Sequence, residues 1–170
     1  MIHIVPAHTD TELRDVRTLF LEYASAIGFD LRFQEFDREV AALPGEYAPP
    51  RGTLLLALAD GRAAGCVALR ALDSQTCELK RLYVRPVARG RGIGRLLCDA
   101  VIAAAQAHGY TRMKLDTVPQ MAAAIALYRA LGFVDTEPYR YNPLPGAVFM
   151  ELVLESRSSE QAPSADGVAR

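Results

Sequence analysis

The chain has 170 residues, 51% hydrophobic and 23% charged, which is enough for one domain with a sizeable core. Its net charge of −1 excludes a global attraction to nucleic acid or to an anionic membrane. Three cysteines (Cys66, Cys77 and Cys98) form no C-x-x-C pair, and neither a signal peptide nor a membrane-length apolar run is visible, so the reading is a cytoplasmic protein without disulfides or a zinc site.

Ile2 to Val5 reads as a first strand, ended by Pro6. Thr9 or Asp10 can cap a helix that buries Leu13, Val16, Phe20, Tyr23, Ala24 and Ile27 and stops at Gly28. A second helical stretch is expected over 31–43, broken by Pro44-Gly45. Strands over 53–59 and 62–70 flank Asp60-Gly61, a strong two-residue hairpin signal. Asp73-Ser74-Gln75 turns the chain into a strand over 76–84. Period-2 alternation there puts Glu78, Lys80, Leu82 and Val84 on one face.

After that strand comes Arg89-Gly90-Arg91-Gly92-Ile93-Gly94. Apolar residues then recur at Ile93, Leu96, Leu97, Ala100, Val101 and Ala104, the spacing of one helix face, up to His108-Gly109. A strand over 111–116 follows. A helix starts at Pro119, carries Met121, Ala124, Ile125, Tyr128 and Leu131 inward, and ends at Gly132. Two last strands are expected over 133–136 and 147–154. Residues 156–170 are polar and aperiodic and read as a flexible tail behind one domain, 1–155. The order β-α-α-β-β-β-α-β-α-β-β describes a mixed α/β fold with helices covering a sheet.

Glycines between a strand and a helix let the backbone approach a ligand closely, and the first helical turn offers unpaired N–H groups at the positive end of a dipole. That combination is an anion site, most naturally for phosphate. A P-loop needs Gly-Lys-Ser/Thr, but Gly94 is followed by Arg95-Leu96. The dinucleotide fingerprint needs a third glycine where Arg95 stands, although Asp116 lies at a suitable distance for its acidic residue. Lys80, Arg81, Arg85, Arg89, Arg91 and Arg95 concentrate within this stretch without an aromatic stacking platform, which fits the rim of a phosphate-bearing ligand better than a nucleic-acid surface.

A third pattern, Arg/Gln-x-x-Gly-x-Gly/Ala, is met by Arg89, Gly92 and Gly94. It resembles the pyrophosphate loop of the GCN5-related N-acetyltransferases (GNAT). Leu127-Tyr128-Arg129-Ala130-Leu131-Gly132-Phe133 likewise resembles that family's recurrent Leu-Tyr-x-x-x-Gly-Phe helix end. The resemblance covers nearly all of 1–154. It implies a mostly antiparallel central sheet, splayed between its two middle strands, with helices on both faces. It implies acetyl-coenzyme A as cofactor, held by Arg89, Gly90, Arg91, Gly92, Ile93, Gly94 and Arg95, and a pantetheine arm paired with Leu82, Tyr83 and Val84. The Leu82 N–H would polarise the thioester carbonyl. Glu78 becomes the candidate general base and Tyr128 the candidate acid toward the departing thiolate.

One departure is Met121, where many relatives carry an asparagine that bonds the pantetheine; Gln120 is the nearest substitute. The acceptor is expected to be a small amine or amino-acid-like molecule. Its pocket is nominated as Phe29, Phe33, Tyr47, Arg70, Asp116, Tyr139, Tyr141 and Asn142. No metal is expected, and a homodimer is compatible with the resemblance. Two other functions stay open: a non-catalytic acyl-coenzyme A sensor on the same fold, and a dinucleotide-dependent oxidoreductase.

Overall fold

A computed structural model describes residues 1–28, 30–31 and 35–155. The expected tail over 156–170, and Phe29 and Phe33, lie outside the described residues. Among the described residues, seven strands form one sheet: β1 (Ile2–Pro6), β2 (Thr53–Ala59), β3 (Arg62–Ala71), β4 (Thr76–Val84), β5 (Arg112–Thr117), β6 (Val134–Asp135) and β7 (Val148–Val153). Their spatial order is β1-β2-β3-β4-β5-β7-β6, and every pairing is antiparallel except β4 with β5.

Among the described residues, four α-helices accompany the sheet: α1 (Asp10–Ile27), α2 (Phe36–Ala41), α3 (Ile93–Ala107) and α4 (Ala122–Ala130). One core lies between the sheet and α3 with α4, around Leu69, Leu79, Leu97, Val101, Met113 and Tyr128. The other lies under α1 and α2, around Val16, Leu19, Phe20, Phe36 and Tyr47. The local signals account for most boundaries. Thr9 caps α1 in a reciprocal box with Glu12. Asp60 and Gly61, both at positive φ, make the tight β2–β3 turn.

Two helices depart from expectation. Helix α2 is Phe36–Ala41; of the expected 31–43, residues 32–34 lie outside the described residues, and Leu31 and Leu43 still reach the core. Helix α4 begins at Ala122, three residues after Pro119, which instead lies in the turn leading to Met121.

The alternation expected for β4 also fails, and for a definite reason. Between the pairs Cys66–Tyr83 and Ala68–Lys80, β3 advances two residues while β4 advances three. The extra residue is a bulge, with Arg81 at φ 60. It reverses the faces beyond it. Leu82 and Val84 join Cys77 and Leu79 against the α3 core, while Tyr83 packs on the α1 side. Glu78 and Lys80 therefore do not share a face with Leu82 and Val84.

Buried Arg81 points toward α1 and α2. Its guanidinium meets Glu39 through Nε–Oε2 at 2.8 Å and Nη2–Oε1 at 3.2 Å, and its carbon end lies 5.1 Å from the Phe36 ring centre. Tyr47 donates to Glu39 at 2.7 Å. A two-pronged, largely buried ion pair thus ties α2 to the bulge.

Candidate active site

Strands β4 and β5 pair in parallel only at Thr76–Arg112, Cys77–Met113 and Glu78–Lys114. Beyond Glu78 and Lys114 they part, because β4 stays with β3 while β5 follows β7 to Thr117–Val148. The resulting cleft is lined by Tyr23, Lys80, Leu82, Asp116, Met121 and Tyr128, among others. A larger cavity of about 260 Å³ beside α2, lined by Glu35, Glu39, Glu46 and Tyr47, shares no residue with this cleft.

The glycine loop stands where β4 hands over to α3. Gly92, at φ 76, is the N-cap of α3 and makes no side-chain cap. The first helical bond runs from the Leu96 N–H to the Gly92 carbonyl. The N–H groups of Ile93, Gly94 and Arg95 therefore precede the helical ladder and face outward at its positive end. A Cβ on Gly94 would come no closer than 3.5 Å to Leu127, so the fold itself does not require glycine there. A cradle left open by a missing side chain, beside free amides, fits a diphosphate.

The arginines of this run are mostly engaged within the chain. Arg85 holds Glu22 at 2.8 Å, Arg91 holds Asp60 at 3.1 Å, and Arg95 holds Asp99 at 3.1 Å, while Arg89 donates to the Val84 carbonyl at 3.1 Å. The loop's amides are thus its principal free donors toward an anion, with the exposed arginines close by.

Tyr128 is buried on α4, tilted against Phe133 at 5.6 Å between ring centres. Burial, with Cys98 and Tyr23 nearby, pushes its phenol well above the ordinary tyrosine value. The ring is therefore a neutral donor at all working pH values. Its hydroxyl makes no hydrogen bond among the described residues, and the side chain lines the cleft.

Glu78 is completely buried at the point where the strands part. Its Oε1 faces Arg70 Nε at 2.9 Å, Arg140 Nη2 at 3.2 Å and Lys80 Nζ at 3.8 Å. Its Oε2 accepts from the Tyr139 hydroxyl at 2.6 Å. Burial acts to raise its pKa, but Lys80, Arg140, the Tyr139 hydrogen bond and Arg70 outweigh it and hold the carboxyl below the ordinary glutamate value. Lys80 behaves oppositely. Burial, reinforced by Arg81, Arg140 and Arg70, overcomes Glu78 and brings its ammonium down to about 7.

The structure thus gathers Arg70, Glu78 and Tyr139 from three separate segments, and it adds Lys80 and Arg140. Asp116 sits across the cleft, with Asn142 donating to its Oδ2 at 3.0 Å. Two nominated residues stand elsewhere: Tyr141 is 77% exposed, and Tyr47 is a core residue bonded to Glu39. Sequence reading missed Arg140 and Tyr23 in this region. The one available signal for Arg140 was its place inside the Tyr139-Arg140-Tyr141-Asn142 segment, and nothing local marked Tyr23 as more than an inward helix position.

The cysteines are inert by environment. Burial pushes the thiols of Cys77 and Cys98 up to about 12, and that of Cys66 further. Among the described residues, no group of three or more His, Cys, Asp or Glu is placed to hold a metal ion. No described helix is long and apolar enough to cross a membrane.

Comparison with known proteins points one way. A family model described as acetyltransferase (GNAT) family matches residues 13–133. The N-acetyltransferase C1271.07c of Schizosaccharomyces pombe is 43% identical over 143 residues, covering 83% of this chain and 88% of that protein. The N-acetylaspartate synthetase of Rattus norvegicus is 36% identical over 110 residues, covering 64% of this chain and 36% of that protein. Among solved structures, the acetyltransferase YncA of Salmonella typhimurium, determined with acetyl-CoA, superposes with a TM-score of 0.71 at 20% identity over 98% of this chain and 99% of that one.

Proposed function

The chain belongs to the acetyltransferase (GNAT) family, and on that footing we propose that it moves an acetyl group from acetyl-coenzyme A directly to the amine of a small, amino-acid-like acceptor. The observation that carries this reading is the cleft between β4 and β5, with amides at the head of α3 beyond one end and Tyr128 on its wall. The Ile93, Gly94 and Arg95 amides hold the donor's diphosphate, and the edge of β4 over Leu82, Tyr83 and Val84 aligns its pantetheine arm. Arg89 and Arg91 rim the loop. Acetyl-coenzyme A brings an activated thioester carbon.

The protein's own groups then manage charge and protons. The Leu82 N–H polarises the carbonyl as negative charge grows on its oxygen. As the new C–N bond forms and the C–S bond breaks, Tyr128 gives a proton to the departing sulfur. The acceptor's proton goes to Lys80, which lines the cleft and has a basicity matched to neutral pH. Glu78 is the base expected from sequence. A carboxylate already serving two arginines, a lysine amine and a phenol is a weak proton acceptor, so its role here is to hold Lys80, Arg70, Arg140 and Tyr139 in place.

A small acceptor accords with the rat relative, whose name specifies an acetylated amino acid. The test is thiol release from acetyl-coenzyme A across a panel of amino acids, amines and polyamines, beside thermal shifts with coenzyme A and with nicotinamide dinucleotides. Turnover with a small amine is expected. Coenzyme A binding without turnover across the panel would favour the sensor reading, and stabilisation by a nicotinamide dinucleotide alone would revive the oxidoreductase.

A further inference from the structure

We infer that the acceptor carries a carboxylate, and that Arg140 and Lys114 bind it at the vertex of the cleft. The inference rests on the transferase reading above and names the chemical class of its acceptor.

Glu78 and Lys114 are the last paired residues before β4 and β5 separate, so the groups around them form the closed end of the cleft. Leu79 and Leu115, next along each strand, turn into the α3 core, which leaves Glu78, Lys114 and Asp116 on the opposite face. A thioester arm coming from the glycine loop meets the acceptor on that face.

Two cations there are incompletely matched. The Nε of Arg140 is buried and has no hydrogen-bond partner among the described residues, although its Nη2 reaches Glu78 at 3.2 Å. A buried donor of this kind calls for a ligand, since burial strips its water and leaves the N–H uncompensated. Lys114 makes no salt bridge among the described residues, and its ammonium rests 5.4 Å from the Tyr139 ring centre. The Arg140 guanidinium carbon lies 5.8 Å from the same ring centre. One aromatic ring therefore lies beside two cationic groups at the closed end of the cleft, and neither group is saturated by the chain's own carboxylates.

An arginine fork with one arm engaged and the other open suits a planar carboxylate, and a neighbouring lysine adds a point charge. Across the cleft, Asp116 has one oxygen taken by Asn142 and can face an ammonium with the other. Cationic groups at one end and a carboxylate at the other match a molecule carrying both an amine and an acid. A polyamine would instead bring positive charge against Arg140, Lys114 and Arg70.

The test compares free amino acids, including glycine, aspartate and glutamate, with their carboxamides and with spermidine, and measures succinate binding by calorimetry. At least one acid should exceed its carboxamide about tenfold in kcat/KM, spermidine should be poor, and Arg140→Gln and Lys114→Gln should each raise KM for that acid about tenfold. In both variants the loss should fall on KM for the acid rather than on KM for acetyl-coenzyme A, and the preference for acid over carboxamide should shrink. Arg140→Lys should recover part of the loss. Lys114→Gln guards against misfolding, because that ammonium only rests on a ring. Equal use of acid and carboxamide, or preference for spermidine, would overturn the inference and leave the transferase standing. Absence of turnover together with succinate binding that Arg140→Gln abolishes would keep the anion site and end the transferase reading. Absence of both would overturn both.

Discussion

Glu78 on β4 and Lys114 on β5 are register partners, and they are the last pair those strands make. On its other side Glu78 is paired with Arg70 of β3, so a cation–anion–cation row crosses three strands at the point where the sheet opens. The ion row thus coincides with the end of main-chain pairing. Charged groups pin the vertex while the backbone edges beyond it are released for a ligand.

Tyr128→Phe keeps the packing against Phe133 and removes only the hydroxyl. Turnover should fall about 100-fold with KM for acetyl-coenzyme A unchanged, as expected for a proton donor used in the transition state. Steady-state kinetics at saturating acceptor checks this; a parallel loss of cofactor affinity would mark the hydroxyl as a binding group.

Gly94→Ala separates ligand room from folding room. The added Cβ meets Leu127 at 3.5 Å, an ordinary contact, so the melting temperature should stay within a degree or two. If a diphosphate sits against that turn, KM for acetyl-coenzyme A should rise about tenfold. An unchanged KM would place the diphosphate elsewhere.

Lys80 has its ammonium lowered to about 7, chiefly by burial. If it accepts the amine's proton, kcat/KM should climb with pH up to about 7 and then level, beyond the acceptor's own titration. Lys80→Met should lose that limb. Glu78→Gln should keep it at reduced rate, displaced to lower pH, because the Glu78 charge favours the Lys80 ammonium. A limb that survives in Lys80→Met and disappears in Glu78→Gln would restore the carboxylate as the base.

The Arg81–Glu39 pair is largely buried and hydrogen-bonded at two points. Glu39→Ala would leave a guanidinium uncompensated beside Phe36, and should cost about 3–5 kcal/mol in urea unfolding. The acid limb of stability follows from the same carboxyl. Burial acts to raise the Glu39 pKa, but Arg81 and Tyr47 prevail and hold it below the ordinary 4.5. A carboxyl lowered in the folded state stabilises fully above the unfolded value and loses that contribution as pH falls through the folded one. Urea midpoints for the wild type should therefore drop as pH falls below the ordinary 4.5, more steeply than for Glu39→Gln, which has no proton to gain.

By itself the sequence determined the order of elements, the glycine-bearing handover into α3, and the inward place of Tyr128. Each is a local matter: Gly92 at positive φ, Thr9 with Glu12, and apolar residues at helical spacing declare themselves within a few positions. The tertiary structure alone decided which groups surround Glu78. Arg70, Lys80, Tyr139 and Arg140 come from β3, β4 and the β6–β7 connection, and only strand register brings them onto one carboxylate.

The bulge at Arg81 belongs to the same class. No residue type near it announces a positive φ, yet it moves Leu82 and Val84 to the face opposite Glu78. The left-handed backbone of a bulky, charged residue is held by a buried partner 42 positions earlier in the chain, Glu39. A conformation stabilised by a distant charge leaves no mark in the local pattern, whereas one stabilised by a glycine or a capping hydroxyl does.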